Sequence, residues 1–367
     1  MTNREEIQEK ERRVREFMLS RGLDALLLRR QGNFSWMTGG GLNLVGITTE
    51  LGVAALLITR TSKFVVCSNI EAPRMAREEN LEAQGYTIAS FPWHEEAERT
   101  TIQRIVGQGK VGSDAPFADA EVCAEDIARL RYSLTPAEVE RYRWLGERAS
   151  AGLERTLIAT RPGETEAEVV ARLCGDLWKD RIDPITLMSA ADERVASYRH
   201  PIPTERRIER FLMVSVNARK WGLIVSLTRF AHFGRVPEEL QQRYRDNVRI
   251  DCAFMAATQP GVPAREVLMR GMEAYRSAGY PDEWKLHHQG GAIGYTGRDY
   301  RTSFETPDVV HANQGVTWNP SLTGTKSEDT ILATADGPQP VTLPVLFPRM
   351  QLEVDGAVFE RPAILEK

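Results

Sequence analysis

The chain has 367 residues, of which 42% are hydrophobic, and 47 Lys and Arg against 51 Asp and Glu give it a formal net charge of −4. This length and apolar content are enough for two ordinary domains, each with its own core. Because the two signs of charge are interspersed along the chain, the electrostatic footprint of a nucleic-acid-binding protein is missing. We expect a soluble globular protein with no nucleic-acid partner.

A membrane span and a targeting segment are also not expected. The first residues, MTNREEIQEKERRVREFM, have the pattern of a charged helix, and no apolar run reaches the length of about 18 residues that a spanning helix needs. We therefore expect a cytoplasmic protein with no membrane partner. The four cysteines are Cys67, Cys123, Cys174 and Cys252. They lie far apart with no CxxC pair, which predicts buried thiols and neither a zinc site nor a disulfide framework.

Strand and helix patterns alternate in the first third of the chain. An opening helix ends near Arg21-Gly22. The segments that follow are LDALLLRR (23–30, strand), GVAALLIT (52–59) and KFVVCS (63–68, a hairpin), EAPRMAREENLEAQG (71–85, helix) and TIASF (87–91, strand). This alternation predicts a small α/β domain.

The pattern changes to long helices near Thr135-Pro136, where a capping residue, a proline and the early acid Glu138 form a helix start signal. The sequence predicts a first domain over 1–132 and a second over 133–367. In the second, we expect helices at 136–160, 165–180, 237–259 and 263–278. Extended segments are expected at 211–230, 286–300, 313–320 and 327–334.

The extended segment MVSVNARKWGLIVSLTRF (213–230) predicts a hairpin with one polar face. If the turn is centred on Lys220-Trp221, Ser215 lies opposite Ser226. The polar face carries Ser215, Asn217, Ser226 and Thr228. Since a buried hydroxyl or amide without a partner costs about 1–3 kcal/mol, this face must look into a wet cleft or a hydrogen-bonded pocket.

This hairpin resembles the metal-binding hairpin of the creatinase, prolidase, aminopeptidase P and methionine aminopeptidase family. The family pattern is Asp-x-Gly-Ala…Gly-Tyr-x-x-Asp-x-Thr-Arg. Here both aspartates are replaced, by Ser215 and Ser226, whereas Gly222, Thr228 and Arg229 match. The likeness implies a metal hairpin that lacks its metal ligands.

Three later segments resemble the rest of the family's metal site. HHQGGAIGY places Gly291 at the histidine ligand, NQGVTWNP places Asn319 at a glutamate ligand, and GTKSEDTILAT retains Glu328. A pair of oxygen-liganded cations needs several carboxylates to offset its charge. One ligand of five remains, so we expect neither a metal at this site nor another cofactor.

The resemblance implies an α+β fold, with a pita-bread domain preceded by a smaller creatinase-type α/β domain. The N-terminal part of the likeness is carried by RGLDALLLRRQGNFSWMTGG (21–40). It implies a homodimer in which the glycine-rich GGGLNLVG (39–46) forms either a close backbone turn or the lip of the neighbouring subunit's pocket.

His200, in YRHPIPTERRIE, matches the family's upstream active-site histidine and is the candidate proton carrier. A structural histidine before a proline turn is the alternative. Glu328 is the second catalytic candidate, either orienting His200 or holding a cationic group. The candidate substrate-binding residues are Ser215, Asn217, Ser226, Thr228, Arg229, His288, Arg298 and Asn319. Of these, Arg229 and Arg298 are expected to receive a carboxylate. In a strand, His287 and His288 would point to opposite faces, so at most one would reach the cleft.

The resemblance implies a metal-independent hydrolase or lyase that cleaves a C–N bond of a small amino-acid-like or guanidino-like substrate. Creatinase is the family's precedent for this chemistry, with a histidine at the position of His200. It carries a glutamate where Thr228 stands, which argues against creatine itself. Two alternatives stay open: a non-catalytic relative that binds a small molecule or a partner, and an Xaa-Pro aminopeptidase or dipeptidase.

Overall fold

The computed structural model describes residues 3–367, and their contacts divide the chain into two units. The first unit extends to Ala137 and includes the Trp221–Leu223 turn, and the second comprises Glu138–Lys220 and Ile224–Lys367. Within the described residues, no helix is both long enough and apolar enough to cross a membrane.

The first unit is built on one six-stranded sheet. Its elements are α1 (Asn3–Arg21), β1 (Ala25–Arg30), α2 (Gln31–Met37), β2 (Leu51–Thr59), β3 (Lys63–Ser68), α3 (Ala72–Arg77), β4 (Thr87–Phe91), α4 (Glu98–Val106), β5 (Val111–Ser113), β6 (Glu121–Val122) and α5 (Ala124–Leu130). The strand order is β4-β3-β2-β1-β5-β6. Strands β2 and β3 pair antiparallel, so the predicted hairpin is confirmed, whereas β1 pairs with β5 and β3 with β4 in parallel.

The apolar runs that predict these strands also supply the core of the first unit. Its buried core residues are Ala25, Leu27, Ala55, Leu57, Val66 and Ile102. The helix predicted over 71–85 is shorter than expected and ends at Arg77. Asn80 has a φ of 55°, a left-handed conformation that no α-helix continues through.

The second unit combines long helices with mostly antiparallel sheets. Its helices are α6 (Pro136–Ala159), α7 (Glu166–Trp178), α8 (Arg194–Ser197), α9 (Glu238–Ala257) and α10 (Ala264–Ser277), followed by a 3-10 turn (Glu283–Leu286). Helices α6, α7, α9 and α10 agree closely with the sequence prediction. At α7, Thr165 and Glu168 form a capping box, which satisfies two backbone N–H groups of the first turn.

The strands of the second unit form two sheets and two small ribbons. They are β7 (Asp183–Ala191), β8 (Phe211–Lys220), β9 (Leu223–His232), β10 (Gly290–Ala292), β11 (Tyr300–Arg301), β12 (Gln314–Trp318), β13 (Ser321–Leu322), β14 (Thr325–Lys326), β15 (Asp329–Thr334), β16 (Gly337–Pro340), β17 (Arg349–Val354), β18 (Ala357–Pro362) and β19 (Leu365–Glu366). The sheets have the orders β11-β10-β12-β15-β16 and β19-β9-β8-β7, and the ribbons are β13-β14 and β17-β18. Sequence patterns did not predict β7, which pairs antiparallel with β8 and places Met188 opposite Ser215.

Packing of α9 against β12 fixes the strand that leads into the candidate site. The rings of Phe254 and Trp318 stack with centroids 4.8 Å apart, and the Trp318 Nε1–H donates to Thr258 Oγ1 at 2.8 Å. A Cβ on Gly271 of α10 would lie 1.9 Å from the Phe254 ring, so only glycine allows the two helices to approach this closely. This core holds Asn319, the next residue after β12, in a fixed position.

All four cysteines are free. Cys67, Cys123 and Cys252 are buried, as predicted, whereas Cys174 on α7 is only partly buried. Burial raises the pKa of Cys67 to about 11 and that of Cys252 to about 12, so these two thiols stay protonated at neutral pH.

Candidate active site

The β8–β9 hairpin turns at Trp221 and Gly222, one residue later than the sequence analysis assumed. Both residues have positive φ, 54° and 78°, as the two central residues of a tight hairpin turn require. The hydroxyl of Ser215 therefore hydrogen-bonds to that of Thr228, and the expected pairing of Ser215 with Ser226 is wrong. A shift of the turn by one residue moves every cross-strand pair by two, which keeps the polar face intact.

The hydroxyls of this polar face are buried and hydrogen-bonded to one another and to later strands. Ser226 Oγ donates to Asn217 Oδ1 at 2.7 Å, and Thr228 Oγ1 donates to Glu328 Oε2 at 2.7 Å. Ser215, Ser226 and Thr228 are each at most 2% exposed. Their hydrogen-bonding capacity is used inside the protein, so these three form a layer beneath the cleft.

Glu328 is a buried anion held by two cations. Lys326 Nζ lies 3.0 Å from its Oε2, and Arg298 Nη2 lies 3.7 Å from its Oε1. Burial opposes ionisation, but these charges and the Thr228 hydroxyl outweigh it and keep the pKa of Glu328 below its usual value. Glu328 does hold cationic groups, as proposed from the sequence, but these are side chains of the protein itself.

Three imidazoles cluster beside the cleft, and two of them, His200 and His288, line it. Nε2 of His200 and Nε2 of His287 are hydrogen-bonded at 2.9 Å, and the rings of His287 and His288 stack at 4.4 Å. Of His287 and His288, only His288 lines the cleft, within the expected limit of one, but the stacked rings do not point to opposite faces as a strand would direct them. These two residues follow a 3-10 turn and precede the strand at Gly290, so the alternation of a regular strand does not apply to them.

All three histidines are neutral at pH 7. Burial and the charge of Lys326 lower the pKa of His287 to about 2, and burial and Arg298 lower that of His288 to about 4. The pKa of His200 is lowered by the same kind of burial and by Lys326, with Glu328 opposing. His200 is the most exposed of the three and is therefore the one that can carry a positive charge at least cost.

A cleft of about 310 Å³ opens above this layer, entirely within the second unit. The predicted site residues that line it are His200, Asn217, His288, Arg298, Asn319 and Glu328. Its remaining wall is formed by Thr186, Leu187, Met188, Ile202, Gly297 and Lys326. The unpredicted strand β7 thus supplies the apolar side of the cleft.

Arg229, which the sequence analysis expected to receive a substrate carboxylate, does not line this cleft. Its side chain is fully buried and lies 3.2 Å from Glu154 and 2.9 Å from Asp329. It also donates to the carbonyl oxygens of Thr228 and Thr342 at 2.9 Å each. Its neighbour Thr228 faces Glu328, and alternation along β9 directs the next side chain to the opposite face.

Sequence reasoning missed Lys326 and His287. Lys326 stands two residues before Glu328 in GTKSEDT, a spacing that places both side chains on one face of an extended segment. That signal was present in the sequence. The contact of His287 with His200 joins residues from distant parts of the chain, and no local pattern indicates it.

The residues at the family's metal-ligand positions do not fit a pair of metal ions. Glu328 is the one carboxylate among them, and it is already ion-paired with Lys326. At Gly291, a Cβ would lie 2.3 Å from the carbonyl oxygen of Tyr300, so no histidine fits there without movement of the backbone. The three imidazoles lie within 4.8 Å of one another and have the donor set of a single zinc ion, but the charges of Lys326 and Arg298 next to them oppose a cation.

The histidine cluster should make the protein less stable in mild acid. His287 is neutral when folded, whereas an unfolded histidine titrates near 6.5, so the unfolded state binds more protons between pH about 6.5 and the folded value. Unfolding free energy should therefore fall as pH is lowered through this window. In urea titrations at pH 7.5 and 5.0, His287→Gln should lose less stability than the wild type between the two pH values. The control His94→Gln, at an exposed position, should keep the wild-type difference, and equal differences in all three proteins would contradict the prediction.

Comparison with known proteins identifies the family. Residues 140–335 match the model of metallopeptidase family M24, and residues 11–143 match the creatinase/prolidase N-terminal domain. An uncharacterized peptidase of Staphylococcus aureus is 23% identical over 67% of this chain and 72% of its own length.

Solved structures agree with this fold. An Xaa-Pro dipeptidase from Bacillus anthracis superposes with a TM-score of 0.78 at 20% identity, covering 98% of this chain and all of that one. A prolidase from Pyrococcus horikoshii gives 0.77 at 20% identity over 91% of this chain and 98% of its own. The predicted architecture, a creatinase-type N-terminal domain before a pita-bread domain, is confirmed. With more than half of its residues in the matching segment, the chain belongs to metallopeptidase family M24, a family of hydrolases.

Proposed function

We propose that the protein hydrolyses a C–N bond of a small amino-acid-like molecule without the family's pair of metal ions, with His200 as the proton carrier. The observation that carries this proposal is the cleft itself. An exposed neutral imidazole stands beside two cations in a pocket whose metal-ligand positions hold almost no anionic donors. Hydrolysis is the chemistry of the family; metal independence is the new element.

The chemistry requires one free nitrogen on His200. Nε2 faces His287, so Nδ1 is the atom available to the cleft, and it accepts a proton when Nε2 carries the hydrogen and donates it to His287. A water molecule would give a proton to Nδ1 while its oxygen bonds to the carbonyl carbon. The C–N bond then breaks, and His200 returns the proton to the leaving nitrogen.

The other cleft residues suit the remaining tasks. Lys326 and Arg298 are the cations that a substrate carboxylate would meet, and the amides of Asn217 and Asn319 are neutral donors for the carbonyl oxygen. Ser215 lies beneath the cleft with its hydroxyl on Thr228 and with no base beside it, so it is a poor nucleophile.

A test must distinguish the proposed reaction from two other functions. Membership of metallopeptidase family M24 favours metal-dependent peptidase activity, and the residues at the ligand positions oppose it. The pairing of Glu328 with Lys326 is also compatible with a non-catalytic protein that binds a small molecule in the same cleft.

Metal analysis tests the proposal directly. We expect purified protein to hold less than one Mn, Co, Zn or Fe per chain, because the four altered ligand positions supply no charge to offset two cations. Turnover of small amides, followed by mass spectrometry, should survive dialysis against EDTA. Two metals per chain, removed by EDTA with loss of Xaa-Pro hydrolysis, would restore the peptidase interpretation. Tight ligand binding with no turnover in the panel would favour the binding protein.

A further inference from the structure

We infer that the cleft selects a carboxylate that carries no positive charge, and that its substrate is an N-blocked amino acid such as an N-acyl or N-carbamoyl amino acid. This inference rests on the proposed function for the reaction, but the charge selectivity stands on the cleft alone. Lys326, which the family resemblance did not assign, is the specificity-determining residue.

The charges that line the cleft do not cancel. Among the lining residues that the structure describes, the cations are Lys326 and Arg298 and the acid is Glu328. The histidines are neutral, and the exposed Arg301 adds a further positive charge nearby. The cleft therefore has an excess of positive charge, which a bound anion would offset.

Lys326 has unused hydrogen-bonding capacity. It is 4% exposed, and its Nζ lies 3.0 Å from Glu328, whose carboxylate accounts for only part of what the ammonium group can donate. A buried ammonium group has three N–H donors, and leaving them without acceptors is costly. Lys326 lines the cleft, but its Nζ itself has almost no exposed surface, so a bound carboxylate would meet this residue mainly through its positive charge.

Arg298 offers a second set of donors on the same wall. Its Nη1 donates to the Gly297 carbonyl at 2.8 Å, and its Nη2 is 3.7 Å from Glu328, beyond hydrogen-bond distance. Its Nε is buried with no hydrogen-bond partner among the described residues. A carboxylate that reaches Arg298 would also lie close to the charge of Lys326, because both cations flank Glu328.

A cationic ligand group finds no comparable partner. The carboxylate of Glu328 is shared by Lys326, Arg298 and the Thr228 hydroxyl, and is 3% exposed. A free α-ammonium or a guanidinium would enter beside two cations, which disfavours dipeptides with a free N-terminus and disfavours the guanidino-like substrates. Acylation of the α-nitrogen removes that charge, keeps the carboxylate and creates the C–N bond to be cleaved.

The size and the apolar wall of the cleft fit such a molecule. About 310 Å³ is at the small end of ligand pockets, which typically span roughly 300–1,000 Å³. Leu187, Met188 and Ile202 are among the lining residues and can contact an aliphatic side chain. N-acetyl-L-leucine combines these features and is the probe of choice.

Binding calorimetry with three matched ligands tests the inference. N-acetyl-L-leucine should bind, whereas L-leucine amide, a cation of similar size, should not. L-leucine, which keeps its ammonium group, should bind at least tenfold more weakly than N-acetyl-L-leucine. Lys326→Met should weaken the binding of N-acetyl-L-leucine by about 10- to 100-fold, the usual effect of removing a nearby unit charge from a poorly solvated site. Lys326→Arg should retain most of the affinity, and the control Lys285→Met, at an exposed lysine paired with Asp282, should retain all of it.

Two precautions keep the result decisive. If Lys326→Met fails to fold by circular dichroism, Arg298→Gln is the second variant, with the same expected loss. Binding is measured separately from turnover, and it is repeated in a His200→Asn background. If the wild-type protein binds anions selectively but cleaves none of them, the proposed reaction is refuted and the charge selectivity still holds. Cleavage of free dipeptides or guanidino compounds, or equal binding of the leucine amide, would overturn the inference while leaving hydrolase activity intact.

Discussion

Replacing His200 with Asn should abolish turnover while leaving the fold intact. His200 is exposed and its ring hydrogen-bonds to His287, so asparagine at this position creates no cavity in a core. Loss of a general acid-base group typically costs about 10²–10⁴ in rate. The measurement is kcat for an N-acyl amino acid in His200→Asn, with His94→Asn in the first unit as the matched control.

The pH profile gives a second readout for this residue. A base must be unprotonated to act, so the rate should rise with pH through the pKa of His200. Burial and Lys326 lower that pKa, so the midpoint should lie below the usual value of about 6.5. An undiminished kcat in His200→Asn would end this mechanism, as would a profile that is flat through the acid range.

Replacing Arg229 with Met should produce the largest loss of stability among single changes near the site. The guanidinium of Arg229 is fully buried against Glu154 and Asp329, and its removal leaves two carboxylates with reduced compensation. Breaking a buried ion pair in this way costs about 3–5 kcal/mol. Urea unfolding followed by circular dichroism measures the loss.

The control for this change is an exposed ion pair. Arg235 and Glu238 lie 3.4 Å apart with side chains 84% and 88% exposed, so Arg235→Met should change the unfolding free energy by less than about 0.5 kcal/mol. Asp329 also pairs with Arg361 at 3.1 Å, so that carboxylate keeps one cation and Glu154 should account for most of the effect. A stable Arg229→Met protein with weakened substrate binding would instead support the role assigned to Arg229 from the sequence.

Together, these results would describe an M24 protein that has exchanged a metal centre for a charged cleft. Three of the four replaced positions have a structural use: Ser215 and Ser226 hydrogen-bond beneath the cleft, and Gly291 allows close strand contact. The retained Glu328 holds Lys326 in place of a metal ion. Glu328 is therefore the one anion of the family's set that remains, and its charge is offset by cations of the protein itself.

The sequence by itself determined most of the elements and which side chains occupy the positions that match the family's metal ligands. Apolar periodicity and the start signal at Pro136 predict helices such as α6 closely, because these signals act over a few residues. The side chains at the matched positions are likewise local facts, and serine or glycine cannot supply an anion in any fold. The polar face of the hairpin follows from the alternation of residues along β8 and β9, whereas its register required the turn geometry at Trp221 and Gly222.

Only the tertiary structure decided which charges and rings meet. Whether Arg229 faces a substrate or Glu154 depends on how β9 packs against α6, and whether His287 reaches His200 depends on a 3-10 turn far along the chain. The positive charge of the cleft is also a result of tertiary structure. Lys326 and Arg298 share the single carboxylate of Glu328, so one positive charge is left without a partner of opposite sign. Pairing and desolvation set the energies of these groups, and both arise from contacts between residues that are distant in sequence.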